Sequence, residues 1–162
     1  MKKRFVYIGI GLLILLAALY FFVVVRSKSK PTALRVEDLP WPVHESDLEV
    51  YDGDKIRVEL KEGTLTPTRA TFIVKNDETY DLTCLTGAFV EIQIDDKWYT
   101  LDIHSVVIGF LIRGGDEKEF IEDWGQYCGN LPPGNYRHVK CVMPSAREKI
   151  SLVCEFTITK DM

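Results

Sequence analysis

No acidic residue occurs before Glu37, and no charge of either sign lies between Phe5 and Val25. A stretch that long without charge does not read as a water-facing element. As a helix rising about 1.5 Å per residue it would extend roughly 30 Å, the thickness of a bilayer's hydrocarbon core. Small residues that would mark a cleavage site are missing where the run ends, since Tyr20, Phe21, Phe22, Val23, Val24 and Val25 lead directly into Arg26. The pattern predicts an uncleaved transmembrane signal anchor over 5–25 behind a cytoplasmic tail of 1–4. No cysteine precedes Cys84, which excludes lipid attachment just after the run.

Other absences bear on chemistry. There is no Cys-x-x-Cys pair, Gly-x-Ser-x-Gly elbow, phosphate loop or dinucleotide fingerprint. His44, His104 and His138 are scattered without metal spacing, and serine beyond Ser46 is confined to Ser105, Ser145 and Ser151. Neither a catalytic site, nor a metal, nor a cofactor is expected, and the protein does not read as an enzyme. The acidic pairs Asp95-Asp96, Asp116-Glu117 and Glu122-Asp123 read as solvated turn charges, because Asp is favoured at turns for backbone reasons.

Basic residues flank the apolar run on both sides: Lys2, Lys3 and Arg4 before it, Arg26, Lys28 and Lys30 after it. The positive-inside rule is therefore nearly balanced. The rest of the chain holds 14 Lys and Arg against 24 Asp and Glu, a formal charge of −10. That disfavours nucleic acid as a partner. The four cysteines, Cys84, Cys128, Cys141 and Cys154, all follow the anchor, an even number that suits an oxidising compartment. Together these features place the amino terminus in the cytoplasm and the remainder outside the cell, with the membrane reached through the anchor. Free buried thiols are the competing reading of the cysteines.

Residues 26–46 are rich in Lys, Pro and polar side chains and read as a stalk, with Leu39-Pro40-Trp41-Pro42 as a piece that could dock on the domain instead. A folded domain is expected over 47–162. There the apolar segments are short and separated by turn residues, which predicts an all-β protein. Strands are expected at Ile56–Leu60, Ala70–Lys75, Ala88–Ile94, Lys97–Ile103, Val106–Ile112, Lys118–Trp124, Asn135–Val142 and Ile150–Thr159. Asp95-Asp96 should form a tight hairpin turn. Val90, Ile92 and Ile94 alternate with Glu91 and Gln93, the period of a half-buried strand, and the almost wholly apolar Val106–Ile112 reads as a central strand.

The most specific stretch is Asp123-Trp124-Gly125-Gln126-Tyr127-Cys128-Gly129-Asn130-Leu131-Pro132-Pro133-Gly134-Asn135-Tyr136-Arg137. Its Pro-Pro-Gly turn and following tyrosine suit a corner in which the Tyr136 hydroxyl bonds back to the turn's backbone, with Gly134 supplying a positive φ. Together with Leu65-Thr66-Pro67-Thr68, Phe72–Asn76, Asp96-Lys97-Trp98-Tyr99 and Glu155-Phe156-Thr157-Ile158, it resembles the bacterial immunoglobulin-like domains of Gram-positive surface proteins and lipoproteins. The resemblance covers about Leu48 to Thr159 and implies an antiparallel β-sandwich of seven or eight strands, presented outside the cell, without catalytic residues. Family members usually lack cysteines at these places.

The strand reading favours a disulfide between Cys141 and Cys154, set opposite each other in the last hairpin, leaving Cys84 to pair with Cys128. Cys84 with Cys141 or Cys154 is the competing connectivity. Among the aromatics, Trp124 and Tyr136 are assigned to core and corner, and Trp98 and Tyr127 to a possible interaction surface. Two function classes follow. One is a membrane-anchored binding or scaffold module contacting another envelope protein or a cell-wall component. The other is an inhibitor or regulator of an extracytoplasmic enzyme.

Overall fold

The computed structural model describes residues 34–85, 89–101, 108–145 and 148–162. The expected anchor over 5–25, the first part of the stalk, and the expected strand positions Ala88, Asp102, Ile103, Val106 and Val107 lie outside the described residues.

Among the described residues a 3-10 turn (Val36–Asp38) precedes the strands. These are β1 (Val43–Glu45), β2 (Ile56–Leu60), β3 (Arg69–Asn76), β4 (Leu82–Leu85), β5 (Phe89–Ile94), β6 (Lys97–Leu101), β7 (Gly109–Ile112), β8 (Glu117–Asp123), β9 (Gly134–Pro144) and β10 (Ile150–Ile158), with one short helix, α1 (Gly125–Cys128), between β8 and β9. They form two antiparallel sheets. The smaller has the order β2-β3-β8, and the larger runs β1-β6-β5-β9-β4-β7 with β10 on the other side of β9.

The larger sheet contains two broken rows. β5 pairs with Tyr136–Val139 of β9 and β4 with Val142–Pro144, so the two lie end to end along one side of β9. β6 and β7 continue as the next row, on β5 and β4 respectively. Counting each broken row once, the ten strands of the described residues occupy eight rows.

Period-two alternation builds the core. Ile56, Val58, Ala70, Phe72, Val74, Leu82, Val90, Ile92, Ile94, Leu152, Phe156 and Ile158 are buried between the sheets. Phe156 lies at the centre of the aromatic packing, stacked on Trp124 at 5.6 Å and on Tyr136 at 5.7 Å between centroids. The Trp124 indole N–H is satisfied by the Pro67 carbonyl at 2.8 Å, so the largest core side chain carries no unpaired donor. The β5–β6 turn has Asp95 at φ 49° and Asp96 at φ 63°, both left-handed, as a two-residue hairpin with matching twist requires.

Three expectations are corrected here. Residues 34–46 do not stand apart as a stalk, because Leu34–Met162 form one compact unit. Within it β1 pairs with β6, and the Trp41 indole donates to the Cys128 carbonyl at 2.8 Å, so the docking alternative for Leu39-Pro40-Trp41-Pro42 is the one observed. β7 is not central but the last strand of its sheet, hydrogen-bonded among the described residues to β4 alone. Its inward side chains, Phe110 and Ile112, pack on the core, whereas Leu111 is 53% exposed. Gly134 does not adopt a positive φ; the left-handed glycine of that stretch is Gly129, at φ 72°, which ends α1.

Candidate functional site

β9 is buried on both faces, which is where alternation stops being a guide. Tyr136, His138, Lys140 and Val142 point between the sheets, while Arg137 and Val139 are buried on the opposite, outer face. Residues 46–52 account for the second burial. They leave β6 through Ser46 N–H to the Trp98 carbonyl at 2.8 Å and reach β10 through Tyr51 N–H to the Ser151 carbonyl at 2.9 Å. Ser46, Asp47 and Leu48 line a shallow cleft together with the outward residues Phe89, Glu91, Thr100, Val139 and Cys141, and the segment so forms a strap over the outer face.

Glu91 sits under this strap, 2% exposed. Its carboxylate accepts from Ser46 Oγ at 2.6 Å, Thr100 Oγ1 at 2.9 Å and Arg137 Nε at 2.5 Å. The Arg137 guanidinium in turn lies 4.5 Å from the Trp98 ring centroid. Charge, hydrogen bonds and cation–π stacking thus lock one side of the outer face. On the same face the outward side chains Phe89, Leu111 and Met143 are 37%, 53% and 39% exposed.

The inner face carries a second charged cluster, between the sheets. Lys140 Nζ of β9 donates to Glu122 Oε1 of β8 at 2.5 Å, with Nζ also 4.7 Å from the Phe120 ring centroid. His138 is fully buried and stacks on Phe72 of β3 at 4.2 Å. Neither of its ring nitrogens has a hydrogen-bond partner among the described residues; Glu122 Oε1 is 3.7 Å from Nε2, too far for a hydrogen bond. Burial, with the Lys140 charge adding to it, pushes the His138 pKa down to about 3, so the ring is neutral. The reading of Glu122 as a solvated turn charge is corrected, because β8 carries it inward to Lys140.

The predicted surface aromatics occupy separate elements. Trp98 is half-buried on the outer face of β6, whereas Tyr127 lies on α1 and is 52% exposed. Tyr136 is fully buried and its hydroxyl donates to the Pro132 carbonyl at 2.7 Å, closing the corner.

The four cysteines are free thiols. In the β9–β10 ladder Cys141 stands opposite Ser151, and Cys154 opposite His138. Register is thus three residues away from the expected pairing. An odd shift places Cys141 on the outer face and Cys154 on the inner, where no disulfide can join them without breaking the ladder. Burial pushes the Cys84 and Cys128 thiols up to about 11, and raises Cys154 as well, so these three hold little thiolate at neutral pH. Cys128 Sγ donates to the Trp124 carbonyl at 3.2 Å.

Among the described residues no group of three or more His, Cys, Asp or Glu side chains could hold a metal ion. No helix among them is long and apolar enough to cross a membrane.

Two facing antiparallel sheets closed by a tyrosine corner define an immunoglobulin-like β-sandwich. Residues 52–160 match the family model of the bacterial Ig-like domain, about two thirds of the chain, and the chain belongs to that family. No curated protein matches the sequence. In immunoglobulin domains the corner tyrosine lies two residues before a cysteine that bridges the sheets. Here that place is taken by His138, and its stack on Phe72 of the opposite sheet spans the gap that a disulfide would cross.

Proposed function

We propose that this protein is a non-catalytic binding or scaffold module, held outside the cytoplasm by the apolar segment 5–25 and contacting another envelope protein or a cell-wall component. Membership of the bacterial Ig-like family supports an extracellular surface module of this kind. The observation that carries the binding role is the outer face of the larger sheet. There the Arg137 guanidinium stacks on Trp98, and farther along the same face Phe89 and Met143 are exposed. Rigid aromatic and apolar side chains on a flat sheet suit a binding surface better than an inhibitory loop.

The test uses the full chain in intact cells, with a photoreactive residue at Gln93, an outward position beside Trp98 in the β5–β6 ladder. Illumination is expected to link one envelope component, and Trp98→Ala to lower the yield. Equal yields with and without Trp98, or protection of the domain from external protease in protoplasts, would overturn the proposal.

A further inference from the structure

Native sheets guard their edges with charge, proline or a covering segment, because an open edge is a template for another strand. Among the described residues, four of the five edge strands are guarded. β1 follows Pro42 and ends in Glu45, bridged to Lys97. β2 carries Arg57 and Glu59, paired with Asp77 and Lys75. β8 has Glu117, Lys118, Glu119, Glu122 and Asp123 within seven residues. β10 is bonded by the strap at Ser151 and carries Glu155.

β7 is the exception. Gly109-Phe110-Leu111-Ile112 contains neither charge nor proline, and no backbone bond among the described residues covers its far side.

We infer that the β7 edge is a contact between two copies of this chain, paired antiparallel so that the larger sheet runs from one copy into the next. The backbone groups of β7 that no described residue bonds specify a strand as occupant, since such a strand continues the ladder that β7 already makes with β4. Charge then argues for this edge as the meeting place. With 24 acidic residues against 14 basic ones outside the anchor region, two copies repel over most of their surface, and β7 is the edge strand without charge.

The strand is also self-complementary, as a two-fold contact requires. With Phe110 opposite Phe110 of the second copy, Leu111 of each falls opposite Gly109 of the other on the outer face. Gly109 is bare there and closely backed by Thr83, whose methyl lies 3.1 Å from where a Cβ would stand. The 53% exposed Leu111 covers that bare backbone in both directions. This pairing goes beyond the proposed binding role and does not rest on it.

A photo-cross-linking residue placed at Leu111 of the full chain, illuminated in membranes, tests the contact. A doubled-mass product is expected, with its linked peptide containing Gly109 of the second copy. The same probe at Ile121, 73% exposed on β8, is expected to give none. A link only to a different protein, or no doubled-mass product, overturns the inference. Sedimentation equilibrium of the full chain in density-matched neutral detergent guards against the probe itself blocking contact. There Leu111→Lys, which sets a charge in the contact, is expected to weaken dimerisation by about tenfold or more. A monomer at every concentration, or a dimer equally tight in Leu111→Lys, overturns it.

Discussion

Glu91 and Glu122 are both buried carboxylates facing a cation on β9, yet their surroundings differ in kind. Glu91 has three donors, from the strap, β6 and β9. Glu122 has one, from Lys140, and its other polar neighbour is a neutral histidine 3.7 Å away. Only the first arrangement satisfies most of the carboxylate's lone pairs. A buried ion pair recovers its desolvation cost only when further hydrogen bonds complete it. The strap-side cluster should therefore survive loss of its cation better than the inter-sheet cluster does.

Lys140→Met provides the strongest test of that contrast. It leaves Glu122 buried without its donor and is expected to destabilise the fold by about 3–5 kcal/mol in urea unfolding, while Glu122→Leu with Lys140→Met recovers most of the loss. Arg137→Met should cost less, about 2–3 kcal/mol, because Ser46 and Thr100 still donate to Glu91. Equal losses for the two single variants would break the comparison.

His138 sharpens it through pH. An unfolded histidine takes up a proton near pH 6.5, whereas in the fold it does so only near about 3. Below pH 6.5 the unfolded chain thus binds a proton that the native one does not. The stability contributed by neutral His138 is present above that pH and lost as pH falls toward about 3, at roughly 1.4 kcal/mol per unit. Between pH 6 and 4.5, His138→Leu should lose about 2 kcal/mol less than the wild type, measured by denaturation at each pH. Parallel curves would mean that the ring is already charged or hydrated in the fold.

Tyr136→Phe supplies the neutral yardstick and the smallest effect. Removing the hydroxyl from the Pro132 carbonyl should cost about 1–2 kcal/mol in thermal or urea unfolding, below either cation deletion. An unchanged midpoint would show that the corner bond is exchanged for water without loss.

Much of this architecture was legible because its signals are local. The β5–β6 hairpin follows from two aspartates that tolerate left-handed backbone between alternating strands. The Tyr136 corner follows from a proline turn four residues upstream. The apolar run at 106–112 misled because one inward face and one uncovered edge spell the same residues as a doubly buried strand; only sheet order distinguishes them. The expected register of Cys141 against Cys154 differs from the observed one for a related reason, since the apolar alternation of Leu152, Phe156 and Ile158 fits either and only the ladder chooses between them.

Composition, alternation and turn chemistry thus determined by themselves the all-β class, most strand positions and the buried aromatics, because each depends on residues within a few positions of one another. The tertiary structure alone decided the rest: that 46–52 crosses the outer face, that Glu91 meets Arg137 from 46 positions away, that Glu122 turns inward to Lys140, and that β7 ends its sheet. Those outcomes depend on which strands lie side by side and in what register. Packing two sheets against each other settles that, since a side chain's partner across a sheet or between sheets is set by the other strand's position and not by its own neighbours.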